Sequence, residues 1–177
     1  MSRFERSVAV LCGAAMAGIR PAALAVCDAC ERSEFENCRA VFPKKGIRFE
    51  VLATNGEKIT YLVFREAKLR EQLALAENAE FLAQFGYPAG NFEGCLRYLK
   101  LRLRGDAFPH EVGVFLGYAL EDVCGYMRDP AACLYCGAWK VYAEPEKKRI
   151  LFARYKRCGE GIVRRLACGE TLTQIFR

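Results

Sequence analysis

Two cysteines stand two residues apart in Cys133-Leu134-Tyr135-Cys136-Gly137. A C-x-x-C-G of this kind forms metal knuckles, in which both thiolates point at one ion and the glycine lets the backbone approach sulfur. A second pair, Cys27-Asp28-Ala29-Cys30, would complete four ligands, but more than a hundred residues separate the pairs, far outside zinc-ribbon spacing. Cys12, Cys158 and Cys168 are the alternative sulfur donors for that second half. His110 is the only histidine, so a metal here would be zinc or iron held through thiolates, and His-rich zinc arrangements are excluded. The rival chemistry is redox exchange, which needs a thiolate stabilised at a helix N-terminus. Cys133 and Cys136 instead precede a strand pattern. The plain alternative is that each cysteine is a small apolar core residue.

Two other groups of residues have chemical potential. In Pro109-His110-Glu111 the histidine adjoins a carboxylate, just ahead of an apolar, glycine-rich segment. An imidazole there can act as acid, base or ligand near neutral pH, or simply bond a backbone carbonyl. In Trp139-Lys140-Val141-Tyr142, alternation puts Trp139 and Val141 on one face and Lys140 and Tyr142 on the other. Core packing accounts for the first face, and the second would form the polar wall of a pocket. No Ser/His/Asp order, phosphate loop, H-E-x-x-H or dinucleotide fingerprint occurs.

The elements that must position these residues follow from periodicity. Phe4 to Ala17 reads as a helix ending near Gly18, and Pro21 is placed to begin a second, short, cysteine-bearing helix. Another helical stretch covers Glu31 to Val41. Ile47, Phe49 and Val51, then Ile59, Tyr61 and Val63, alternate with other residues around Asn55-Gly56, the signature of an antiparallel hairpin over residues 47–64. Helical spacing returns over Ala67 to Phe85, and Asn91 caps a helix whose apolar stripe contains Cys95. Phe108 to Met127 reads as two short helices joined near Gly117-Tyr118, with a strand through Val112, Val114 and Leu116 as the alternative. A strand follows near residues 138–143, and Pro145 opens a basic C-terminal helix with Ile150, Leu151 and Tyr155 facing inward. The expected fold is α+β: helices packed on a small, mainly antiparallel sheet.

A chain of 177 residues, 53% apolar and 27% charged, suits one globular domain spanning 1–177 that needs no disulfides. Ten cysteines are many for a cytoplasmic protein but fewer than a secreted disulfide scaffold carries. Arg3 and Arg6 before an apolar run, with Leu24-Ala25-Val26-Cys27 beyond it, faintly mimic a lipoprotein signal. Glu5, Arg20-Pro21 and the bulky Val26 argue against export, so a cytoplasmic location is expected. No stretch has the roughly 18 uncharged apolar residues of a membrane span. The net charge of +6 comes mainly from Arg97, Lys100, Arg102 and Arg104 and from Lys147 to Arg165. It suits a solvated surface or an acidic protein partner, and no aromatic-and-basic signature of nucleic-acid binding accompanies it.

Taken together, FPHEVGVFLGYALEDVCGY (Phe108–Tyr126), Cys136-Gly137-Ala138-Trp139-Lys140-Val141-Tyr142 and LFARYKRC (Leu151–Cys158) resemble a family of bacterial proteins, common in anaerobes such as clostridia, catalogued as domain of unknown function 3793. Weaker similarity covers Cys12 and Ala17-Gly18-Ile19-Arg20-Pro21-Ala22. The resemblance implies a single cytoplasmic domain and directs attention to Cys12, His110, Glu111, Cys136 and Cys158. Cys27 and Cys30 lie outside the pattern and Cys124 stands where an aliphatic residue is usual, which implies that these three are bystanders. The leading expectation is an accessory protein that binds a metal, a metal cofactor or a redox partner through Cys12, Cys133, Cys136 and Cys158, with His110 as a further ligand. One alternative is an interaction module whose basic C-terminal helix docks an acidic partner. The other is a small enzyme with His110 and Glu111 as acid–base pair beside Lys140 and Tyr142.

Overall fold

The structure is a computed structural model that describes residues 1–105 and 107–176. Helix α1 (Arg3–Met16) begins at a capping box: the Glu5 amide donates to the Ser2 hydroxyl at 3.1 Å, and the Ser2 amide donates to the Glu5 carboxylate at 2.9 Å. Gly18, at φ +72°, ends it, and the amides of Ile19 and Arg20 turn back onto the Ala14 carbonyl.

The residues after Pro21 form strand β1 (Ala22–Asp28), where the sequence suggests a short helix. Alanine favours helix by only a few tenths of a kcal/mol per residue over most alternatives. Pairing along the whole edge of a neighbouring strand, with Ala22, Ala23, Ala25 and Cys27 buried, outweighs that preference. Pro21 has no amide to lose and is tolerated just ahead of the strand. A 3-10 turn and α2 (Arg32–Val41) lead to β2 (Ile47–Asn55) and β3 (Lys58–Arg65), the expected hairpin, with Gly56 at φ +53° in its turn.

The sheet order is β1-β3-β2, antiparallel throughout, so β3 is central. Its two faces bury different sets: Ile59, Tyr61 and Val63 toward α1 and α2, Leu62 and Phe64 toward the other side. On the first side Phe35 meets Tyr61 with ring centroids 4.9 Å apart, and Phe42 stacks on Phe49 at 5.5 Å. A bulge between Val51 and Ala53 inserts Leu52 into the second core.

That second core is closed by α3 (Glu66–Ala74), α4 (Ala76–Ala83), α5 (Phe92–Arg102), α6 (Val112–Phe115) and α7 (Leu120–Arg128). The helix expected over 67–85 breaks at Leu75, whose ψ is 129°, and the Asn78 side chain donates to the Gln72 carbonyl at 2.8 Å beside the break. Asn91 caps α5 by accepting from the Gly94 amide at 2.8 Å, and Cys95 is buried. α6 and α7 lie on either side of Gly117-Tyr118, as the two-helix reading has it. Gly117 sits at φ +76° against the Pro21 ring.

The strand expected near 138–143 is shorter than the pattern suggests and belongs to a different sheet. β5 (Lys140–Val141) pairs with β4 (Tyr135–Cys136) in a separate ribbon and not with the 47–64 hairpin. Asp122 ends it by taking the amides of Tyr142 and Ala143. Helix α8 (Pro145–Ala167) follows, with Pro145 in its first turn, and then a short α9 (Leu172–Ile175) that the sequence reading omits. Along α8 the inward stripe is Lys148, Phe152, Tyr155, Gly159, Ile162 and Leu166, at spacings of three and four. Ile150, expected inward, is half a turn away from Phe152 and 65% exposed, while Leu151 and Tyr155 are half-buried. Among the described residues no helix is long and apolar enough to cross a membrane.

α8 crosses α1 so closely that a Cβ on Gly159 would stand 3.1 Å from the Ala9 carbonyl oxygen and 3.3 Å from Val10 Cα, both backbone atoms that cannot swing aside. Gly161, two residues on, has only the tip of Arg164 within 4 Å. Gly159→Val should therefore destabilise the protein by about 2 kcal/mol through overpacking. Gly161→Ala should stabilise it by about 0.5 kcal/mol through helix propensity. Urea unfolding midpoints check both, and equal effects would contradict the crossing described.

Candidate functional site

The stripe of α8 that enters the core at Gly159 continues toward its N-terminus as Tyr155 and Phe152, and there it faces a cavity of about 910 Å³. The other walls are the outer turn of α1 (Val10, Leu11), the Arg20 corner, the 108–126 segment and the β4–β5 ribbon. Each stretch that carries the family resemblance contributes: Arg20 from 17–22, His110 and Tyr118 from 108–126, Trp139 and Lys140 from 136–142, Phe152 and Tyr155 from 151–158.

Aromatic contacts fix the wall. The Trp139 ring stacks on Tyr118 with centroids 4.2 Å apart and planes 21° apart, and meets Phe152 edge-on at 4.4 Å. Gly137 makes this possible, because a Cβ there would collide with the rings of Phe152 and Tyr135. The ribbon can thus lie directly on α8.

Asp122 holds the wall from behind. Its carboxylate is buried and accepts from the Trp139 indole at 2.8 Å, the Tyr142 amide at 2.7 Å and the Ala143 amide at 3.3 Å, with the Lys148 ammonium at 3.6 Å. One side chain on α7 therefore sets the Trp139 orientation, the end of β5 and the start of α8. Charge on Asp122 is compensated within the protein.

The charged groups that face the cavity are mostly cationic. Arg20 Nη2 donates to the Leu116 carbonyl at 3.2 Å, and its guanidinium lies 5.3 Å from the Tyr155 centroid. Burial raises the Tyr118 hydroxyl above its ordinary range, and the charge of Arg20 and its hydrogen bond to Tyr118 only partly offset this. Lys140 donates to the Pro130 carbonyl at 2.7 Å and stands 5.7 Å from the Tyr126 ring, whose edge meets His110 at 4.9 Å.

Of the four residues expected as an acid–base group, the structure brings His110 and Lys140 to this cavity and directs Glu111 and Tyr142 elsewhere. Glu111 is buried and accepts from Arg102 Nε at 2.8 Å and from the Tyr87 hydroxyl at 3.3 Å. Neighbouring residues on a turn point apart, so adjacency in sequence does not make a pair in space. Tyr142 donates to the Asp129 carbonyl at 3.0 Å, so it and Lys140 both anchor the 129–130 loop.

The cysteines expected as ligands occupy two regions. Cys12 is fully buried and Cys158 half-buried in the core beside α1, whereas Cys133 lies just ahead of the β4–β5 ribbon and Cys136 within β4, exposed. Burial pushes the Cys12 thiol up to about 12, with only a small opposing effect from Arg20, so it keeps its proton at neutral pH. Burial also raises the Cys158 thiol. Among the described residues no three Cys, His, Asp or Glu side chains gather as a metal ion would require.

Arg20, Tyr118, Asp122, Phe152 and Tyr155 are the site residues that residue-by-residue reasoning passes over. Their signal lies in the resemblance segments, where they stand beside the residues singled out. Removing the Asp122 carboxylate tests its structural role. Asp122→Ala leaves an indole and two amides without an acceptor and should cost about 3 kcal/mol. It should also shift Trp139 emission to the red while helix content is retained, and Asp122→Asn should do less of both. An unmoved emission spectrum in Asp122→Ala would contradict this role.

The curated proteins and the solved structures contain no match to this chain. A family model described as "Protein of unknown function (DUF3793)" matches residues 8–176. The chain, whose cavity is walled by the segments that first suggested the family, belongs to DUF3793.

Proposed function

We propose that the protein binds a small organic molecule with a substantial apolar body, and that the cavity between α8, α1 and the β4–β5 ribbon is its site. The observation that carries this reading is the cavity itself. A concavity of about 910 Å³ faced by Trp139, Tyr118, Phe152 and Tyr155 is of the size and character of small-molecule sites. Val10, Leu11 and Phe108 line it while staying about half exposed, at 56%, 48% and 54%. These are costly groups to leave in water without an occupant.

Binding is favoured over acid–base catalysis because the carboxylate beside His110 is bound to Arg102 and Tyr87 and does not reach the cavity. An occupant hiding on the order of 200 Å² of apolar surface gains about 5 kcal/mol before association costs. Affinity for a simple fragment should therefore be modest.

Trp139, the only tryptophan, reports directly on occupancy. Titration with phenylbutanol should change its emission along a saturable one-site curve. Ala14→Phe, which projects a ring into the cavity from α1, should weaken that binding about tenfold or more. A linear, non-saturating response, or full affinity in a folded Ala14→Phe protein, would contradict the proposal.

A further inference from the structure

The charges around the cavity are unbalanced. Arg20, Lys140 and Lys156 face it, and among the described residues the one carboxylate on its wall is Asp122. That carboxylate already accepts from Trp139, Tyr142 and Ala143 and lies beside Lys148. The wall therefore leaves no carboxylate for Arg20 or Lys140.

Arg20 carries the sharpest imbalance. Its Nε–H is buried and has no hydrogen-bond partner. The other half-buried arginines have acceptors: Arg48 reaches Glu50 at 2.9 Å, Arg102 reaches Glu111 at 2.8 Å, and Arg65 gives its Nε–H to the Met16 carbonyl at 2.7 Å. Among the described residues no carboxylate stands within ion-pair distance of Arg20. Its backbone is fixed by its own amide on the Ala14 carbonyl, and its side chain by Leu116 and the Tyr155 ring. A guanidinium held in this way loses little further freedom when it binds. Its Nε and a terminal nitrogen form a fork that matches two oxygens of a carboxylate or phosphate. Leaving such a donor buried and unpaired is unfavourable, and an anion in the cavity would supply the acceptor it lacks.

We infer that the occupant of the cavity is an amphipathic anion, whose carboxylate or phosphate is taken by Arg20 while its apolar body lies against Trp139 and Phe152. This rests on the reading of the cavity as a ligand site and adds the chemical class of the ligand. Lys140 and Lys156 add attraction from farther out, where Lys156 also lies 3.9 Å from Glu160 and is weakly directed.

Isothermal titration of the intact protein with phenylbutanol, phenylbutyrate and phenylbutyl phosphate separates the two claims. The apolar body is shared and only the headgroup changes. At least one anion should bind about tenfold or more tightly than the alcohol, and comparison of the two anions identifies the preferred headgroup. Arg20→Gln should remove that preference, the anions then binding no more tightly than the alcohol does to the same variant. Arg20→Lys should recover part of it, because charge returns without the fork. Lys140→Gln should change it little. Equal binding of all three by the unaltered protein would overturn the anion assignment and leave the cavity reading intact. This comparison needs no variant, so a misfolded Arg20→Gln does not shelter the claim. Anion preference that survives Arg20→Gln and disappears in Lys140→Gln would also overturn it. Failure of all three compounds to bind would overturn both readings together.

Discussion

The buried Asp122 carboxylate is the contact on which the arrangement of the site depends. A charge removed from water must be repaid by hydrogen bonds, and Asp122 finds them on elements that otherwise share few contacts. The Trp139 indole comes from the β4–β5 ribbon, the Tyr142 and Ala143 amides from the approach to α8, and the Lys148 ammonium from its first turn. The ribbon is only two residues long on each strand, too short to hold a shape alone. Its position is borrowed from α7 through this carboxylate, and from α8 through the contact of Gly137 with Phe152.

The sheet and α1 supply the rigid frame behind that arrangement. β3 buries side chains on both faces, which ties the two cores into one body, and α8 is anchored in the first core by Gly159, Ile162 and Leu166. The same helix then leaves the core and presents Phe152 and Tyr155 to the cavity. One helix thus serves as structure at one end and as binding wall at the other. A change at the α1–α8 crossing should therefore be felt at the cavity without touching it.

The sequence makes the regular parts of the fold legible and hides the convergence. The 47–64 hairpin follows from alternation around Asn55-Gly56, and the α5 start from Asn91, because both are decided by neighbours in the chain. β1 is misread as helix because its alanines carry no strand signal of their own and become strand only through pairing with β3. The strand near 138–143 is read too long because a side chain from α7 takes the amides that would have continued it. At the site, His110, Trp139 and Lys140 stand out by residue type, whereas Arg20 and Asp122 look ordinary until the structure shows what surrounds them. Glu111 is the converse case: adjacent to His110 in sequence, it is bound to Arg102 on the far side of the turn. The cysteines, conspicuous by number, are spread between the core and the ribbon.

The central claim is that the cavity holds an amphipathic anion by its two ends, and a crystal structure of the protein with phenylbutyrate tests it most directly. The account predicts a carboxylate within hydrogen-bond distance of Arg20 Nε and a phenyl ring against Trp139. A phenylbutyrate bound with its carboxylate turned away from Arg20, or bound only outside this cavity, would contradict it.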